Sequence, residues 1–398
     1  MTMELMVGLV GCGNETEVVT ETQPQTGNLI EEYEVYRAEE SNKRIKHGYY
    51  KSYYENGQMW KEGNYKSGIK NGKWVEYDEN GNTLREGNYK DGKEHGTWVE
   101  YYENGQIWKE EKYKNGIKNG KWISYHDNGQ VLRDGNYKEG AKDGKWLGYH
   151  DNGKMWKEGT YKNGKEHGTW ISHYDNGQVH KEEKYKNGIK NGKWISYHDN
   201  GQIKVKKNVK DGKEDGKWVE YYENGQIWAE GNYKSGIKNG KWVEYDENEN
   251  TLSEKSYRDG KIDGLWVRYY ENGNTRSETG YKAGIKEGKW TEYRDNGKLW
   301  REGKYKNGQK EGQWVWYDDN GKLWTEENYK DGQLNGKWVS HYKDGSVFYG
   351  GNYKGGKLNG KWVWYDEDGN TKDEDIWEDG KCVEMCEGDW TETKLLRD

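Results

Sequence analysis

Residues 96–110 read Gly-Thr-Trp-Val-Glu-Tyr-Tyr-Glu-Asn-Gly-Gln-Ile-Trp-Lys-Glu, and this stretch decides the fold. Its first half, from Gly96 to Tyr102, is rich in β-branched and aromatic residues, which favour strands. An Asn-Gly pair that tolerates positive φ follows, and the chain then returns through Ile107 and Trp108. Two strand-like runs on either side of Asn-Gly predict a β-hairpin.

A two-residue type I′ turn at Asn104-Gly105 predicts a definite cross-strand register. The predicted pairs are Tyr101 with Trp108, Glu100 with Lys109, and Trp74 with Gly87. They would be an aromatic pair, a charge pair and a glycine covered by an indole. A three-residue loop with a bulge is the alternative, and it would shift this register by one residue.

The same unit recurs every 24 residues, because Trp occupies position 74 and every later position of that period up to 362. Gly lies two residues before each of these Trp residues, and a second Gly series runs from Gly68 to Gly380. A fixed period of this kind is the signature of a repeat protein. The repeat residues expected to hold the fold include Gly72, Trp74, Tyr77, Gly92, Gly96, Trp98, Tyr101, Gly120, Trp122 and Tyr125.

About fourteen tandem hairpins predict an all-β protein. An isolated hairpin is marginal in water, so neighbouring hairpins must stack side by side. We therefore expect an elongated, single-layer antiparallel β-sheet. The predicted organisation is a signal-like segment over residues 1–12, a polar acidic linker over 13–43, the repeat array over 44–381, and a C-terminal cap or tail over 382–398.

The composition excludes several classes of protein. Only 30% of the residues are hydrophobic and 34% are charged, which is too little aliphatic material for an ordinary layered core. The 23 Trp and 35 Tyr residues argue against disorder, because disordered chains are poor in aromatics. The 64 basic and 71 acidic residues nearly cancel, which argues against a nucleic-acid binder. No apolar run is long enough to span a bilayer as a helix.

The pattern Tyr-x-x-Gly-x-x-x-Gly-x-Trp-x-x-Tyr-x-x-Asn-Gly, seen from Tyr113 to Gly129, resembles the MORN repeat, and in particular its bacterial variant. The resemblance implies an array of antiparallel hairpins that has no catalytic residues of its own. It also implies a bacterial lipoprotein or an antitoxin-labelled component of a toxin–antitoxin pair. Eukaryotic arrays of this kind are associated with scaffolding and with membrane or phospholipid contact.

The segment Leu9-Val10-Gly11-Cys12 resembles a bacterial lipobox, which implies that Cys12 is lipidated. No Lys or Arg precedes Arg37, whereas a signal peptide needs a basic n-region. We therefore expect the true start of the chain to lie further upstream. The alternative is an ordinary N-terminus with a chance cysteine. In the lipoprotein interpretation, the lipid anchor is the only contact with the membrane.

Cys382 and Cys386 are a candidate disulfide in an oxidising envelope. In an extended strand their Cα atoms would be roughly 13 Å apart, beyond the reach of a disulfide. The bond therefore requires a bend between them, and two free buried thiols are the alternative. We expect the acidic region from Asp373, together with the out-of-phase Trp390, to cap the array.

One aromatic position is a candidate binding platform. It is occupied by Trp60, Trp108, Trp156, Trp228, Trp300 and Trp324. If these rings are exposed, a row of Trp and Tyr beside Lys could bind sugar rings, choline-like cations or a protein. If they lie on the packed face, they are core residues, and the shortage of aliphatic residues favours this structural interpretation.

No catalytic pattern stands out from the repeat. The nine His residues occur as variants at repeat positions, and no hydrolase, metalloprotease or Walker-type motif is present. The pairs Glu110-Glu111 and Glu182-Glu183 recur with the unit, and we interpret them as a solvated ladder opposing Lys. The sequence therefore predicts a non-enzyme with no metal and no cofactor.

Three functions remain open. The leading one is a non-enzymatic, envelope-anchored lipoprotein that presents an extended surface to an unidentified protein or envelope polymer. The second is a cytoplasmic antitoxin-like protein that neutralises a toxin by direct binding. The third is an aromatic carbohydrate- or choline-binding wall module. None of the three involves nucleic acid.

Overall fold

The computed structural model describes residues 3–7, 16–23, 26–38 and 43–386. The chain divides into two units, residues 1–201 and residues 202–398. The boundary falls at an Asn-Gly turn inside the predicted repeat array. Every regular element in the described ranges is a β-strand.

The first unit contains β1 (Met3–Val7), β2 (Thr16–Thr22), β3 (Leu29–Arg37), β4 (Arg44–Tyr53), β5 (Met59–Lys66), β6 (Ile69–Tyr77), β7 (Thr83–Lys90), β8 (Lys93–Tyr101), β9 (Ile107–Lys114), β10 (Ile117–Tyr125), β11 (Val131–Lys138), β12 (Ala141–Lys142), β13 (Gly144–Tyr149), β14 (Met155–Lys162), β15 (Lys165–His173), β16 (Val179–Lys186) and β17 (Ile189–Tyr197). The second unit contains β18 (Ile203–Lys210), β19 (Lys213–Tyr221), β20 (Ile227–Lys234), β21 (Ile237–Tyr245), β22 (Thr251–Arg258), β23 (Lys261–Tyr269), β24 (Thr275–Lys282), β25 (Ile285–Tyr293), β26 (Leu299–Lys306), β27 (Gln309–Tyr317), β28 (Leu323–Lys330), β29 (Gln333–Leu334), β30 (Gly336–His341), β31 (Val347–Lys354), β32 (Lys357–Tyr365), β33 (Thr371–Glu378) and β34 (Lys381–Glu384).

Within each unit the strands pair antiparallel with their neighbours in the chain. Strands β12 and β13 both pair with β11, and β29 and β30 both pair with β28, so each couple acts as one interrupted strand. The predicted all-β fold of tandem antiparallel hairpins is confirmed.

The tight two-residue turn lies between repeats rather than at the predicted Asn104-Gly105 pair. Lys114 pairs with Ile117, and the two residues between them, Asn115 and Gly116, have φ values of 52° and 80°. Positive φ at both central residues is the requirement of a type I′ turn. The second Gly series of the repeat exists because this turn needs a residue that adopts positive φ without strain.

The Asn104-Gly105 turn has a different geometry. The Gly105 amide donates to the Tyr102 carbonyl at 2.9 Å, and the Tyr102 amide donates to the Gln106 carbonyl at 2.8 Å. Within the Asn-Gly pair only Gly105 has a positive φ, of 83°. The loop is therefore longer than the predicted type I′ turn, with Gly105 in the left-handed conformation that accompanies a bulge.

This bulge changes the register at the end of the hairpin. Glu100 pairs with Lys109, as predicted, but the register shifts immediately afterwards and Tyr101 pairs with Ile107. The predicted Tyr101–Trp108 pair is therefore wrong, because the bulge places Trp108 between two paired positions. The interior of the hairpin has the predicted register, whereas the end beside the turn has the register shifted by one residue that was expected for a bulged loop.

The segment predicted to be a polar linker contains paired strands. Strand β2 pairs with β3, and β3 pairs with β4 of the repeat array. Val19 and Val35 are fully buried. Both strands carry β-branched residues, which suit a sheet. The sheet of the first unit thus begins well before residue 44.

Backbone hydrogen bonds also join consecutive repeats at the tight-turn edge. The Gly116 amide donates to the Glu94 carbonyl at 2.8 Å, and the Gly140 amide donates to the Lys118 carbonyl at 2.9 Å. The same bond recurs at the equivalent glycines of both units. It ties each turn to the strand of the preceding repeat and holds the stacking distance constant.

Candidate functional site

A row of Trp side chains forms the interior of one face of the sheet, which we call the indole face. Trp74 and Trp98 are each 2% exposed. The Tyr89 ring lies edge-on between them, with centroid distances of 5.9 Å and 5.1 Å. Edge-to-face packing of this kind adds to the hydrophobic gain from burial. The repeated Trp and Tyr thus replace the missing aliphatic core.

The residue eleven positions before each Trp decides how deeply that Trp is buried. Gly87 pairs across the strands with Trp74, as predicted, but a Cβ at Gly87 would overlap the indole of Trp98. The indole that covers this glycine therefore belongs to the next repeat. The buried Trp residues that follow a Gly in this way are Trp74, Trp98, Trp146, Trp170, Trp242, Trp314 and Trp362.

Where another residue replaces that Gly, the indole is displaced toward solvent. The partly buried Trp residues of this kind are Trp122, Trp194, Trp218, Trp266, Trp290 and Trp338. Trp290 instead stacks on the next indole, Trp314, at 5.1 Å, and Trp122 stacks on Trp146 at 5.3 Å. The repeat therefore accommodates both a buried and a partly buried indole, and the indole is buried where the residue eleven positions before it is Gly.

Glu111 shows what happens when a carboxylate takes the glycine position. It is only 3% exposed and accepts hydrogen bonds from Lys118 Nζ at 2.7 Å, Tyr113 Oη at 2.7 Å and Trp122 Nε1 at 2.8 Å. Burial opposes its ionisation, but these hydrogen bonds outweigh burial and hold the pKa at about 2. Its neighbour Glu110 lies on the opposite face.

Glu183 repeats this arrangement with Lys190 at 2.7 Å and Trp194 at 2.9 Å, and it is 6% exposed. The interpretation of Glu110-Glu111 and Glu182-Glu183 as a solvated ladder is therefore wrong for Glu111 and Glu183. Consecutive strand residues point to opposite faces, so neither pair can act as two cooperating carboxylates.

The opposite face of the sheet, which we call the tyrosine face, is held by hydrogen bonds from strand tyrosines to glutamates. Tyr101 Oη donates to Glu86 Oε1 at 2.8 Å, and Tyr125 Oη donates to Glu110 Oε1 at 2.8 Å. Burial and then the glutamate hydrogen bond raise the pKa of both tyrosines to about 12. Each of these two hydrogen bonds joins adjacent strands of the sheet.

A second tyrosine position at the Asn-Gly turns joins adjacent repeats, and the sequence analysis missed it. Tyr102 Oη donates to the Tyr125 carbonyl of the next repeat at 2.7 Å. Asn104 Nδ2 donates to the Asp127 carbonyl at 3.3 Å. Both bonds span 23 residues, so the repeat spacing in the sequence was the only signal that could have revealed them.

The predicted platform Trp residues lie beside these turns, and we call them the exposed aromatic row. Trp60, Trp108 and Trp228 are each 42% exposed and Trp324 is 45% exposed, whereas Trp156 and Trp300 are partly buried. The four exposed rings present an apolar surface to solvent. Trp60 contacts Tyr54 of its own turn at 6.0 Å, and Trp108 contacts Tyr102 at 6.3 Å.

Basic side chains lie over these rings. Lys61 Nζ is 4.2 Å from the Trp60 centroid, and Lys109 Nζ is 4.8 Å from the Trp108 centroid. The guanidinium carbon of Arg301 lies 4.4 Å from Trp300 and 5.1 Å from the core residue Trp290. Arg301 therefore lies between a ring of the exposed aromatic row and an indole of the 24-residue Trp series.

The two units differ at this cation position. In the first unit it is basic in every repeat, with Lys61, Arg85, Lys109, Arg133, Lys157 and Lys181. In the second unit it is occupied by Val205, Ala229, Ser253, Ser277, Arg301, Thr325, Tyr349 and Asp373. The basic–aromatic surface is therefore concentrated in the first unit. Lys beside the rings was expected from the sequence, but this difference between the two units was not.

Comparison with known families agrees with this geometry. The model of the MORN repeat variant matches more than half of the chain. The matched residues are 46–67, 70–91, 94–115, 118–139, 142–163, 166–187, 190–211, 214–235, 262–283, 286–307 and 310–331.

The chain belongs to the MORN repeat variant family.

The structure contains MORN hairpins that the family model does not match. Strands β21 and β22, over residues 237–258, form the same bulged hairpin although Glu249 replaces the turn glycine. Glu249 keeps the glycine's backbone conformation, with φ 68°. The register of the fold thus persists where the motif is degenerate.

Solved structures offer only remote likenesses. A TcdB2–TccC3–Cdc42 complex is 13% identical over 91% of this chain and 25% of its own, with a TM-score of 0.15. The Photorhabdus luminescens Tc holotoxin pore is 12% identical over 92% and 23%, with a TM-score of 0.15. A porin-like protein from Bacteroides uniformis is 10% identical over 66% and 92%, with a TM-score of 0.14.

This MORN protein spans about a quarter of the length of the first two solved chains. Their TM-scores are too low for the shared shape to carry weight. None of the curated proteins matches the chain.

The cysteines of the MORN protein fall in two places. Cys12, the predicted lipidation site, lies outside the described residues. Cys382 and Cys386 are joined as a disulfide with their Cα atoms 6.1 Å apart. Met385, at φ 62°, supplies the bend that such a short spacing requires. Trp390, the other predicted cap residue, is also outside the described residues.

Within residues 16–23, 26–38 and 43–386, no group of three or more His, Cys, Asp or Glu side chains could hold a metal ion. The His residues of the MORN repeats serve as local variants. His126 Nε2, for example, contacts the Tyr149 carbonyl at 2.9 Å in place of a turn tyrosine. A helix long and apolar enough to cross a membrane is not found in the described ranges.

Proposed function

We propose that this MORN protein is a non-enzymatic scaffold that is anchored to the cell envelope through Cys12. Its exposed aromatic row would bind an envelope polymer or a partner protein. The observation that carries the proposal is that Trp60, Trp108 and Trp228 are each 42% exposed to solvent, whereas Trp74 and Trp98 are each 2% exposed. Apolar surface exposed at a constant position is typical of a binding site.

The spacing of the row favours a partner with its own repeat. Adjacent repeats are two strands apart, or roughly 10 Å, so Trp60 and Trp108 are separated by roughly 20 Å along the first unit. One indole supplies a weak contact, but several in register raise the overall affinity by effective concentration. A polymer or an extended protein surface can occupy such sites together.

The cations select against one class of ligand. Because Lys61 and Lys109 already lie over the rings of Trp60 and Trp108, a quaternary ammonium ligand would have to displace them from those ring faces. A choline-like ligand is therefore disfavoured. Neutral sugars and apolar protein surfaces fit better, because Glu76 and Glu100 pair with these two lysines and balance their charge beside the rings.

Binding to the host's purified envelope polysaccharide and peptidoglycan tests the proposal. The full chain is compared with a W60A/W108A/W228A variant. The matched control is I69A/I117A/I237A, because these Ile side chains are equally exposed, at 48–53%, but lie at the tight-turn edge. We expect the Trp variant to bind at least about tenfold more weakly and the Ile variant to bind normally. Equal losses, or no loss, would overturn the role of the row.

Fatty-acid labelling and membrane fractionation test the anchor separately. The protein is expressed from its native upstream sequence, with C12A as the control. Labelling that disappears in C12A supports the envelope location. A soluble, unlabelled protein would overturn the anchor and favour the antitoxin-like alternative, for which co-expression with a neighbouring toxin gene is the direct test.

A further inference from the structure

The first unit contains one cleft in which the repeat pattern is broken. Its volume is about 210 Å³, and it opens on the indole face beside Trp156. The lining residues that matter here are Arg133, Lys142, Gly148, Trp156, Lys157 and Tyr161. This volume is below the roughly 300 Å³ at which pockets for drug-sized ligands begin, so the cleft suits a single ring.

Gly148 creates the cleft. The equivalent position is Glu in five other repeats, namely Glu76, Glu100, Glu220, Glu244 and Glu292. Gly148 does not have a positive φ, so the backbone does not require glycine there. A Cβ would lie 2.6 Å from Trp156 Nε1. The missing side chain therefore lets the Trp156 indole lean into the gap and form one wall.

The same changes remove the carboxylates that neutralise this position elsewhere. In an earlier repeat, Arg85 lies 2.6 Å from Glu94 and 3.5 Å from Glu100. The residues equivalent to these two glutamates at Arg133 are Lys142 and Gly148.

The other cross-strand neighbour of Arg133 is Ser124, where the earlier repeat has Glu76. Three carboxylates are thus replaced by a lysine, a glycine and a serine. The residues that line the cleft include Arg133, Lys142 and Lys157 but no Asp or Glu that would balance their charge.

Three cations consequently face one small volume. Arg133 is exposed, and the Lys142 ammonium lies 4.3 Å from the Trp146 ring and 5.0 Å from the Tyr161 ring. Glu166 opposes these cations, with its Oε1 atom 3.9 Å from Lys157 Nζ. Burial, and then repulsion by Arg133, lowers the pKa of Lys142. An anion entering the cleft would relieve this repulsion.

We propose that the cleft binds one acidic sugar, a pyranose ring that carries a carboxylate, within an anionic polysaccharide. The Arg133 fork matches a carboxylate geometrically, and Lys142 and Lys157 add charge. The Trp156 indole offers an apolar wall for the C–H face of the sugar ring. The inference rests on the proposed function insofar as it identifies the polymer that the first unit would hold.

The direct test is calorimetric titration of the full chain with galacturonate oligomers. Neutral galactose oligomers and inorganic phosphate are the comparison ligands. G148E restores the glutamate of other repeats, so it closes the cleft with a residue that the fold already accepts. R133Q removes one exposed cation, and R85Q is the matched control at the same repeat position outside the cleft.

We expect G148E and R133Q each to weaken uronate binding at least about tenfold, R85Q to leave it unchanged, and added salt to weaken it. Neutral oligomers should bind at least about tenfold more weakly. Absence of uronate binding, equal binding of neutral sugar, or full binding by G148E would overturn the proposal. Phosphate binding as tight as uronate binding would overturn the sugar assignment.

The two proposals fail separately. The W60A/W108A/W228A variant leaves every cleft residue intact. If that variant loses envelope binding and the wild-type protein does not bind uronate, the cleft assignment fails and the scaffold function stands. If uronate binds at the cleft and the W60A/W108A/W228A variant binds the envelope as tightly as the wild type, only the proposed role of the exposed aromatic row fails.

Discussion

Substitution of Gly87 by Ala tests the rule that glycine controls indole burial. Gly87 has no positive φ, so the backbone accepts Ala without strain. The new Cβ would overlap the Trp98 indole, which is now 2% exposed. We expect the indole to move outward, to the partly buried state seen for Trp122 in a repeat without this glycine.

The magnitude follows from what Trp98 loses. Exposing roughly 50 Å² of the indole costs about 1.3 kcal/mol. The Trp98 Nε1 hydrogen bond to the Asn88 carbonyl, at 3.2 Å, contributes about 1 kcal/mol more. Ala offsets part of this, because glycine in a strand is about 0.7 kcal/mol less favourable. The net local destabilisation is about 1.5 kcal/mol, which makes amide exchange roughly tenfold faster.

Hydrogen exchange resolved by peptide is the appropriate assay, because a repeat array opens locally. Faster exchange should be confined to the strands around Trp98, over residues 83–114. Asn88→Ala is the control, since that side chain is exposed and its substitution should change stability by less than about 0.5 kcal/mol. Exchange that changes less than twofold in Gly87→Ala, or equally throughout the unit, would refute the reasoning.

Three further predictions concern charge and turn geometry. Because the folded pKa of Glu111 and Glu183 is about 2, below that of an unfolded glutamate, their contribution to stability should be complete above about pH 4.5 and lost toward pH 2. In thermal melting at pH 7, 4 and 2.5, the melting temperature of an E111Q/E183Q variant should fall less with acid than that of the wild type. The contribution of Tyr101 to stability has the opposite pH dependence. Because its folded pKa is raised to about 12, the contribution is complete below pH 10 and is lost between pH 10 and 12. The stability of a Y101F variant should therefore fall less as the pH rises through this range. Replacing Glu249, a non-glycine at φ 68°, by Gly should slow exchange in the β21–β22 hairpin by a factor equivalent to about 1 kcal/mol, and unchanged exchange would show that the turn is unstrained.

The sequence was sufficient for the fold because its strongest signals are periodic. The pattern within one 24-residue unit predicts one hairpin, and the recurrence of Trp and Gly at that spacing predicts the same hairpin in every other unit. The Glu100–Lys109 pair followed from centring the hairpin on Asn104-Gly105. The turn type did not follow, because Asn-Gly suits both a type I′ turn and a longer turn with a bulge. Only the structure shows that Asn115-Gly116 takes the first form.

The candidate site was less accessible to sequence reasoning. The position of Trp108 was recognised, but its exposure depends on the bulge that removes it from the cross-strand pairs. Burial of Glu111 depends on Trp122 and Lys118 in the next repeat, so no pattern within one hairpin reveals it. Interactions between repeats decide both features, whereas the motif describes a single repeat.

The division of roles within the repeat explains how one fold can carry different binding chemistry. Positions that hold the sheet, such as Gly96 and Trp98, are constant, whereas the cation position varies from Arg85 to Asp373 without altering the hairpin. Because stability is a sum over neighbouring repeats, a change confined to one repeat leaves the other repeats folded. The Gly148 cleft is such a change: one repeat loses a glutamate, keeps its hairpin, and gains a cationic volume. A binding site in this architecture is therefore best sought where a repeat departs from its neighbours.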